Sequence, residues 1–411
     1  MVHIRLLALG TRGDVQPYIA LGLGLKRAGY DVSVAATSDF KPFIESYGLT
    51  AIASKMDLQS VVRSSEQSGG RRQSKKARWA FFQMLLDETL ALAQGADALV
   101  YAPAAVFSAP HVAEKLGIPG IPTALQPYMH PTRDFPAVGM PALDLGGWYN
   151  RFSYTMLEWF TGTFIGPKIN RWRENVLGLS PNKGGIFAGV NHDDVTALYG
   201  FSPSVMPKPA EWGDNVHVTG YWFLDSTDWE PPARLMAFLE SGEPPVYIGF
   251  GSMASRDPQQ TTELVLDAIR KAGVRAVLAS GWGGLSAADV PDNVFLIHSA
   301  PHEWLFPRMG AVVHHGGAGT TASGLRAGVP TIVIPFKSDQ PFWGKRVQKL
   351  GVGPAPIPRK KLSADSLAQA IAQTCSDQSI RRSAAALGEK IRAEDGVASA
   401  VHIIEGAVQA G

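Results

Sequence analysis

His314-His315-Gly316-Gly317-Ala318-Gly319-Thr320-Thr321 lies between the apolar run Ala311-Val312-Val313 and the segment Ala322-Ser323-Gly324-Leu325-Arg326-Ala327-Gly328. That order reads as strand, glycine-rich turn and helix. The first N–H groups of a helix have no intrahelical acceptor, and the helix dipole makes that end electropositive, so an anion is favoured there. Gly316, Gly317 and Gly319 would let a phosphate approach the main chain closely. The hydroxyls of Thr320 and Thr321 can donate to its oxygens. The competing reading is a glycine turn that only packs a helix on a sheet; two imidazoles in the same turn weigh against it. One of His314 and His315 is expected to reach a phosphate oxygen, the other to face the core.

Outward from this stretch, short apolar runs alternate with helical patterns. Val2 to Leu9 reads as a buried parallel strand, Tyr18 to Arg27 as a helix, and Asp31 to Ala36 as the next strand, a βαβ opening. The alternation continues through a helix at Lys75 to Gln94 and strands at Ala98 to Tyr101 and Ile121 to Leu125. Between Gln126 and Arg173 it gives way to crowded Pro, Gly and aromatic residues. Leu224 to Pro232 is acidic and ends in Pro231-Pro232, and is read as a domain boundary. The pattern restarts with strands at Pro245 to Phe250, Val274 to Ala279, Val294 to Leu296, Ala311 to Val313 and Thr331 to Pro335, and closes with one or two helices from Gln378 to Gln409.

The gross composition agrees with two α/β domains. The chain has 411 residues, 45% hydrophobic and 18% charged, so each half can bury a core. A formal net charge of +2 gives no argument for nucleic acid. Cys375 is the single cysteine, so no intrachain disulfide forms, which suits a reducing cytoplasm. No apolar run reaches the ~18 residues of a membrane-spanning helix. The first strand runs directly into Gly10-Thr11-Arg12-Gly13-Asp14 with no leader before it, and the expectation is an unprocessed cytoplasmic protein. No Cys or His cluster has zinc spacing and no Asp-x-Asp motif occurs, so no metal is expected.

Other residues carry readings of their own. Asp14, just after the first strand, is either a general base or the cap of the next helix. Ser252, after Phe250-Gly251, is a second candidate phosphate donor. Trp282 and Trp304 are candidate platforms for a nucleobase. Asp339 and Gln340, an adjacent carboxylate and amide, suit paired sugar hydroxyls, and Asp339 also suits a helix N-cap. Tyr128, Phe135, Trp148, Tyr149 and Phe152, from the aromatic region, are expected to wall a pocket for a flat apolar molecule. The basic segment from Gly69 to Arg78 reads as a solvated loop, with weak peripheral contact to anionic lipid as the functional alternative. A nicotinamide dehydrogenase is disfavoured, because the turn after the first strand lacks Gly-x-Gly-x-x-Gly.

Four pieces together resemble the UDP-glycosyltransferase superfamily, in particular its sterol 3-β-glucosyltransferase branch and the bacterial antibiotic glycosyltransferases. They are Gly10-Thr11-Arg12-Gly13-Asp14-Val15-Gln16-Pro17, Gly249-Phe250-Gly251-Ser252-Met253, Ala300-Pro301-His302-Glu303-Trp304-Leu305-Phe306, and the block from His314 through Asp339-Gln340-Pro341-Phe342-Trp343. The resemblance implies the GT-B fold, with two Rossmann-like domains facing a central cleft. The expected division is residues 1–225 for the acceptor, 226–380 for the nucleotide-sugar, and terminal helices over 381–411 returning toward the first domain. It implies an inverting transfer of a hexose, UDP-glucose being the expected donor, to an apolar alcohol, with no separate cofactor. It gives Asp14 the role of base, since the antibiotic and sterol enzymes carry Asp in this turn where plant and animal relatives carry His. Thr11 and Arg12 are implied donor contacts, and Asp339-Gln340 the grip on the hexose. His302 takes the place of a Gln that meets the ribose or base in relatives, and Ser299 the place of a Trp. Pro131-Thr132-Arg133-Asp134-Phe135-Pro136 is similar to the same region of the sterol enzymes, which favours a sterol or polycyclic acceptor. A sugar donor with another nucleotide and a polyketide, flavonoid or peptide acceptor is the alternative within the class. A relative that binds a nucleotide-sugar or lipid without catalysis is the alternative outside it.

Overall fold

A computed structural model describes the chain except residues 56–74, 128, 142, 144, 184, 186–188, 191–192, 227–228, 251–257, 280–289, 337 and 411. The chain divides into two compact units, one of Met1–Leu224 with Asp395–Gly411, the other of Asp225–Glu394.

The first unit is built on parallel strands β1 (His3–Leu7), β2 (Asp31–Thr37), β3 (Thr50–Ser54), β4 (Ala98–Tyr101), β5 (Gly120–Ala124), β6 (Ala197–Tyr199) and β7 (Val216–Val218), in the order β3-β2-β1-β4-β5-β6-β7. Register is set by apolar matching: Ile4 lies opposite Val32 and Ala98, and Leu6 opposite Val34 and Val100. Ile4, Leu6 and Leu7 are wholly buried, as strands covered on both faces require. The covering helices are α1 (Arg12–Arg27), α2 (Lys41–Ser46), α3 (Lys75–Ala93), α4 (Ala109–Leu116), α5 (Gly146–Phe164) and α6 (Gly166–Trp172).

Helix α1 begins earlier than the expected Tyr18. Thr11 is extended at its N-cap, and Pro17 is tolerated inside it. Asp14, expected in a loop, therefore occupies the first turn of the helix.

The second unit repeats the plan with β8 (Val246–Gly249), β9 (Ala276–Ala279), β10 (Val294–Ile297), β11 (Ala311–His314) and β12 (Thr331–Val333), all parallel, in the order β10-β9-β8-β11-β12. Its helices are α7 (Ala233–Glu240), α8 (Pro258–Ala272), α9 (His302–Leu305), α10 (Ala318–Ala327), α11 (Gln340–Lys349), α12 (Ala364–Ser376) and α13 (Gln378–Arg392). The chain ends with α14 (Gly396–Ala410), which lies on α1 of the first unit; a methyl on Gly24 would fall 2.4 Å from Val397 Cγ1. Gly24 is thus the gap through which two helices come close.

In each sheet the chain lays strands to one side of its starting strand and then crosses to the other. The order reverses between β1 and β4 and between β8 and β11. Ligands of open α/β sheets bind beyond the carboxyl ends of strands at such a reversal.

Candidate functional site

Asp14 lies in the first turn of α1, seven residues past the end of β1. Its Oδ2 accepts from the backbone N–H of Thr11 at 2.8 Å and from the Thr11 hydroxyl at 2.9 Å. This is the reach of a capping-box acid back to the N-cap residue. Burial pushes the Asp14 carboxyl above its ordinary value, against the two Thr11 hydrogen bonds, which pull it down. A methyl at position 10 would fall 2.4 Å from Asp14 Oδ2, so Gly10 leaves the space into which the carboxylate folds. Gly10 was not singled out by sequence reasoning; its signal was a glycine directly ahead of Thr-x-x-Asp. Arg12 is exposed, lies 4.8 Å over the Phe43 ring and reaches Gln16 Oε1 at 3.4 Å.

The second unit carries the His314–Thr321 turn beside its own strand reversal. His314 ends β11 and is fully buried; its Nδ1 accepts from the Gly316 N–H at 2.9 Å. That bond leaves the proton on Nε2 of a neutral ring, and Nε2 is buried with no hydrogen-bond partner among the described residues. Burial holds His314 well below the usual imidazole range, helped by His315 and His302. His315 is half-buried, and burial lowers its pKa also. Its Nε2 stands 2.6 Å from where a methyl on Gly317 would be, at the N-cap of α10. The ring of His315 therefore rests at the helix N-terminus, while His314 faces the core.

Gly316 has φ of +88°, and a side chain there would meet Val333 at 2.6 Å and the Gln340 carbonyl at 3.1 Å. The turn after β11 and the start of α11 are thereby brought against each other. Gly319 is exposed with nothing within 4 Å of an added methyl. Thr320 is half-buried on the first turn. The Thr321 hydroxyl, expected to donate outward, instead donates to the Gly317 carbonyl at 2.9 Å. An intrahelical acceptor four residues back is the nearest available partner for a buried Thr.

Asp339 stands at the N-cap of α11, but its side chain makes no capping bond there; its Oδ2 accepts from the Trp343 indole at 2.9 Å. Ser338, just before it, has φ of +59°. Gln340 is buried and its Oε1 accepts from the Phe336 N–H at 2.7 Å. Trp343, also missed from sequence, sits four residues after Asp339, the spacing of neighbours on a helix.

Ser299 is exposed after β10. His302 opens α9 and is stacked on Phe306 at 4.2 Å, with Tyr247 at 5.9 Å. The Trp304 ring carries Arg308 4.0 Å above it and the edge of Trp229. Ser252, Trp282 and Tyr128 lie outside the described residues.

The aromatic region of the first unit separates into two environments. Phe135 is buried edge-on to Trp212, which stacks on Tyr199 at 4.6 Å. The Tyr199 hydroxyl accepts from the N–H groups of Met129 and His130 and so donates to His130 Nδ1 at 2.9 Å. Burial lowers the His130 pKa to about 4. Glu211 fastens the adjacent loop, accepting from the Thr132 hydroxyl and the Arg133 N–H. Tyr149 is buried and donates to the Pro141 carbonyl at 2.6 Å. Trp148 and Phe152, by contrast, are 73% and 44% exposed and stack on each other. The four described members of the expected acceptor wall thus do not share one surface.

Among the described residues, no three His, Cys, Asp or Glu side chains are grouped to hold a metal, and no helix is long and apolar enough to cross a membrane.

With this geometry in view, the likenesses to known proteins take on meaning. Residues 4–129 match the glycosyltransferase family 28 N-terminal domain, and residues 264–405 the erythromycin biosynthesis protein CIII-like C-terminal domain. The sterol 3-beta-glucosyltransferase of Emericella nidulans is 40% identical over 422 residues, covering 98% of this chain and 30% of the relative. That of Cryptococcus neoformans is 37% identical over 435 residues, covering 98% of this chain and 27% of the relative. The chain thus spans less than a third of the length of these curated relatives. Among solved structures, the glycosyltransferase of kitacinnamycin superposes with a TM-score of 0.73 at 20% identity, covering 99% of each chain. The calicheamicin glycosyltransferase gives 0.70 at 18% identity over 100% of this chain and 98% of that one, and glycosyltransferase VinC in complex with DTDP gives 0.67 at 18% over 100% of both. The fold is GT-B, and the chain belongs to the UDP-glycosyltransferase superfamily.

Proposed function

We propose that the protein is an inverting glycosyltransferase that moves glucose from UDP-glucose to the hydroxyl of a sterol or similar polycyclic alcohol. The observation that carries this reading is the likeness, over 98% of the chain, to sterol 3-beta-glucosyltransferases. Asp14 takes the proton of the acceptor hydroxyl. Its raised pKa makes it a better base than a free carboxylate, and the Thr11 hydrogen bonds hold it in place. The acceptor oxygen attacks the anomeric carbon opposite the nucleotide, so an α-linked donor gives a β-glycoside. As the bond from that carbon to the diphosphate oxygen breaks, negative charge builds on the leaving group. The first N–H groups of α10 and the His315 imidazole are the donors for that charge. Asp339, fixed by Trp343, accepts from hexose hydroxyls.

A second reading has support of its own: the C-terminal domain matches a model named for erythromycin biosynthesis. It keeps the chemistry and replaces the sterol with a natural product and UDP with another nucleotide.

Both are tested by one assay. Purified protein is incubated with UDP-glucose or TDP-glucose and sterols, flavonoids or macrolides, with magnesium or with a chelator. Products are read by mass and the anomeric configuration by NMR. A sterol β-glucoside formed from UDP-glucose in chelator is the expected result. Transfer only to macrolides, or only from TDP-glucose, moves the protein to the second reading. UDP binding without transfer or donor hydrolysis overturns both and leaves a binding protein.

A further inference from the structure

The turn after β1 treats the two oxygens of one carboxylate differently. Thr11 and Asp14 stand three residues apart across the start of α1, so their side chains meet. Both polar hydrogens of Thr11 go to the same atom, Asp14 Oδ2: the backbone N–H at 2.8 Å and the hydroxyl at 2.9 Å. A carboxylate oxygen has about two lone-pair sites, so these donors saturate Oδ2. Gly10 closes the same side, since a methyl there would fall 2.4 Å from Oδ2 and 2.7 Å from Cγ. Oδ1 has no hydrogen-bond partner among the described residues.

The titratable neighbours on α1 do not claim Oδ1. The Tyr18 hydroxyl, one turn further along, feels the Asp14 charge but is engaged elsewhere. The Thr123 hydroxyl donates to the Tyr101 carbonyl, so its oxygen accepts the Tyr18 proton. Arg12 is exposed and lies over the Phe43 ring. Among the described residues no other charged side chain moves the Asp14 carboxyl; burial and the two Thr11 bonds do. The Thr11 hydroxyl has one proton and gives it to Asp14, so toward a bound donor it can accept but not donate. A hydrogen bond from that hydroxyl to a phosphate oxygen would release the carboxylate.

We infer that Asp14 Oδ1 is the atom that receives the acceptor's proton, and that Thr11 is a positioning residue that locks Oδ2 and thereby aims Oδ1. The inference rests on the reading of Asp14 as the base. The acceptor O–H bond breaks, its proton joins Oδ1, and its electron pair stays on the oxygen, which bonds to the anomeric carbon. The bond from that carbon to the diphosphate breaks, and its pair leaves with the diphosphate. The resulting acid has its proton on Oδ1 and its carbonyl at Oδ2, so both Thr11 bonds persist through the transfer. They are stronger to the charged carboxylate than to the acid, and so favour the ionised form.

The test measures kcat/KM for sterol glucosylation from UDP-glucose across pH, in the native chain and in Thr11→Val, Thr11→Ser and Asp14→Asn. Valine keeps the shape and the backbone N–H and removes the hydroxyl. Its acid limb should move up by about one pH unit, because the charged form has lost a hydrogen bond. At a pH on that limb the rate should fall about tenfold. Serine should return the limb to its native position, and UDP affinity by calorimetry should be the same in all four proteins. A residue that only caps α1 would lower the melting temperature of Thr11→Val and leave the limb in place, and that result overturns the inference. So does weakened UDP binding in Thr11→Val with the limb unmoved, which makes Thr11 a donor contact. Transfer lost in Asp14→Asn with an unmoved limb in Thr11→Val overturns the inference alone. Full transfer in Asp14→Asn overturns the base reading and the inference together.

Discussion

The turn after β1 and the turn after β11 use the same geometry with opposite charge. Each joins a parallel strand to a helix at the edge where strand order reverses, and each helix presents N–H groups that its own backbone cannot satisfy. In the first, Asp14 folds back on Thr11, so the chain supplies its own anion to the start of α1. In the second, no acidic residue occupies the first turn of α10; an imidazole and three glycines stand there instead. One helix terminus is already met by the chain's own carboxylate, which in our reading takes the proton of the acceptor. The other carries no acidic residue and, in our reading, receives an anion that is not part of the chain. In our reading, the same helix dipole therefore supports a base in one unit and a leaving group in the other.

The sharpest way to break this comparison is Asp14→Asn. Transfer should fall about a thousandfold, the scale of a lost general base, with UDP affinity unchanged. The melting temperature should not drop: burial disfavours the carboxylate charge that Asn lacks, and the amide oxygen still accepts from Thr11. Retained transfer in this variant would falsify the base assignment and reduce the first turn to a cap. A matched pair of glycine changes comes next. Gly10→Ala places a methyl on Asp14 and should lower the transfer rate about a hundredfold through misplacement of the base. Gly319→Ala meets no protein atom within 4 Å, so melting should be unchanged, while a methyl on the first turn of α10 should weaken UDP binding about tenfold by calorimetry.

The two histidines sharpen the other side. His315→Ala should weaken UDP binding, read by calorimetry, about tenfold through loss of one charge-assisted hydrogen bond, with melting unchanged. His314→Ala strips the Gly316 N–H of its acceptor in a buried site and should instead lower the melting temperature by several degrees. If the two variants exchange phenotypes, the inward ring is the one that meets the diphosphate.

The smallest effect is in acid. His111 and His130 are both lowered to about 4 in the folded protein, the first by burial and then by the Arg173 guanidinium, the second by burial. Unfolded imidazoles titrate near 6.5, so between those values the unfolded chain binds more protons than the native one. Stability should therefore decline steadily as pH falls from about 6.5 to 4, and a pH series of melting curves reads it. His130→Gln should shallow that slope; an unchanged slope would mean that other groups carry it.

The fold was legible because its signals are periodic: short apolar strands alternating with helices give two doubly wound units with little ambiguity. The site was legible in composition and less so in direction. Adjacent residues leaving a strand point to opposite faces, so His314-His315 announces one inward and one outward ring without saying which. Thr321 looked like a phosphate donor because the sequence does not show that Gly317 offers it a closer acceptor. Gln340 looked like a sugar contact for the same reason, since the sequence does not show that its Oε1 accepts from the Phe336 backbone N–H. Helix α5 has aromatic residues on both its buried and its exposed sides, so the crowding of aromatics concealed the helix and also that Tyr149 goes inward while Trp148 goes out. Gly10 matters only once Asp14 is seen folded against it.

The packing of α14 on α1 at Gly24 bears on how the protein is made. The unit with Asp225–Glu394 is continuous in sequence and can condense as soon as it leaves the ribosome. The unit with Asp14 cannot: the apolar flank of α1 around Leu21 and Leu25 belongs to a core that also contains Ala400, Val401 and Ile404. Its closing contact has one of the longest sequence separations in the chain, the kind that forms slowly. The proposed catalytic carboxylate therefore rests on the helix that must wait for its cover, so the nascent chain would hold a formed donor fold before it holds a finished base.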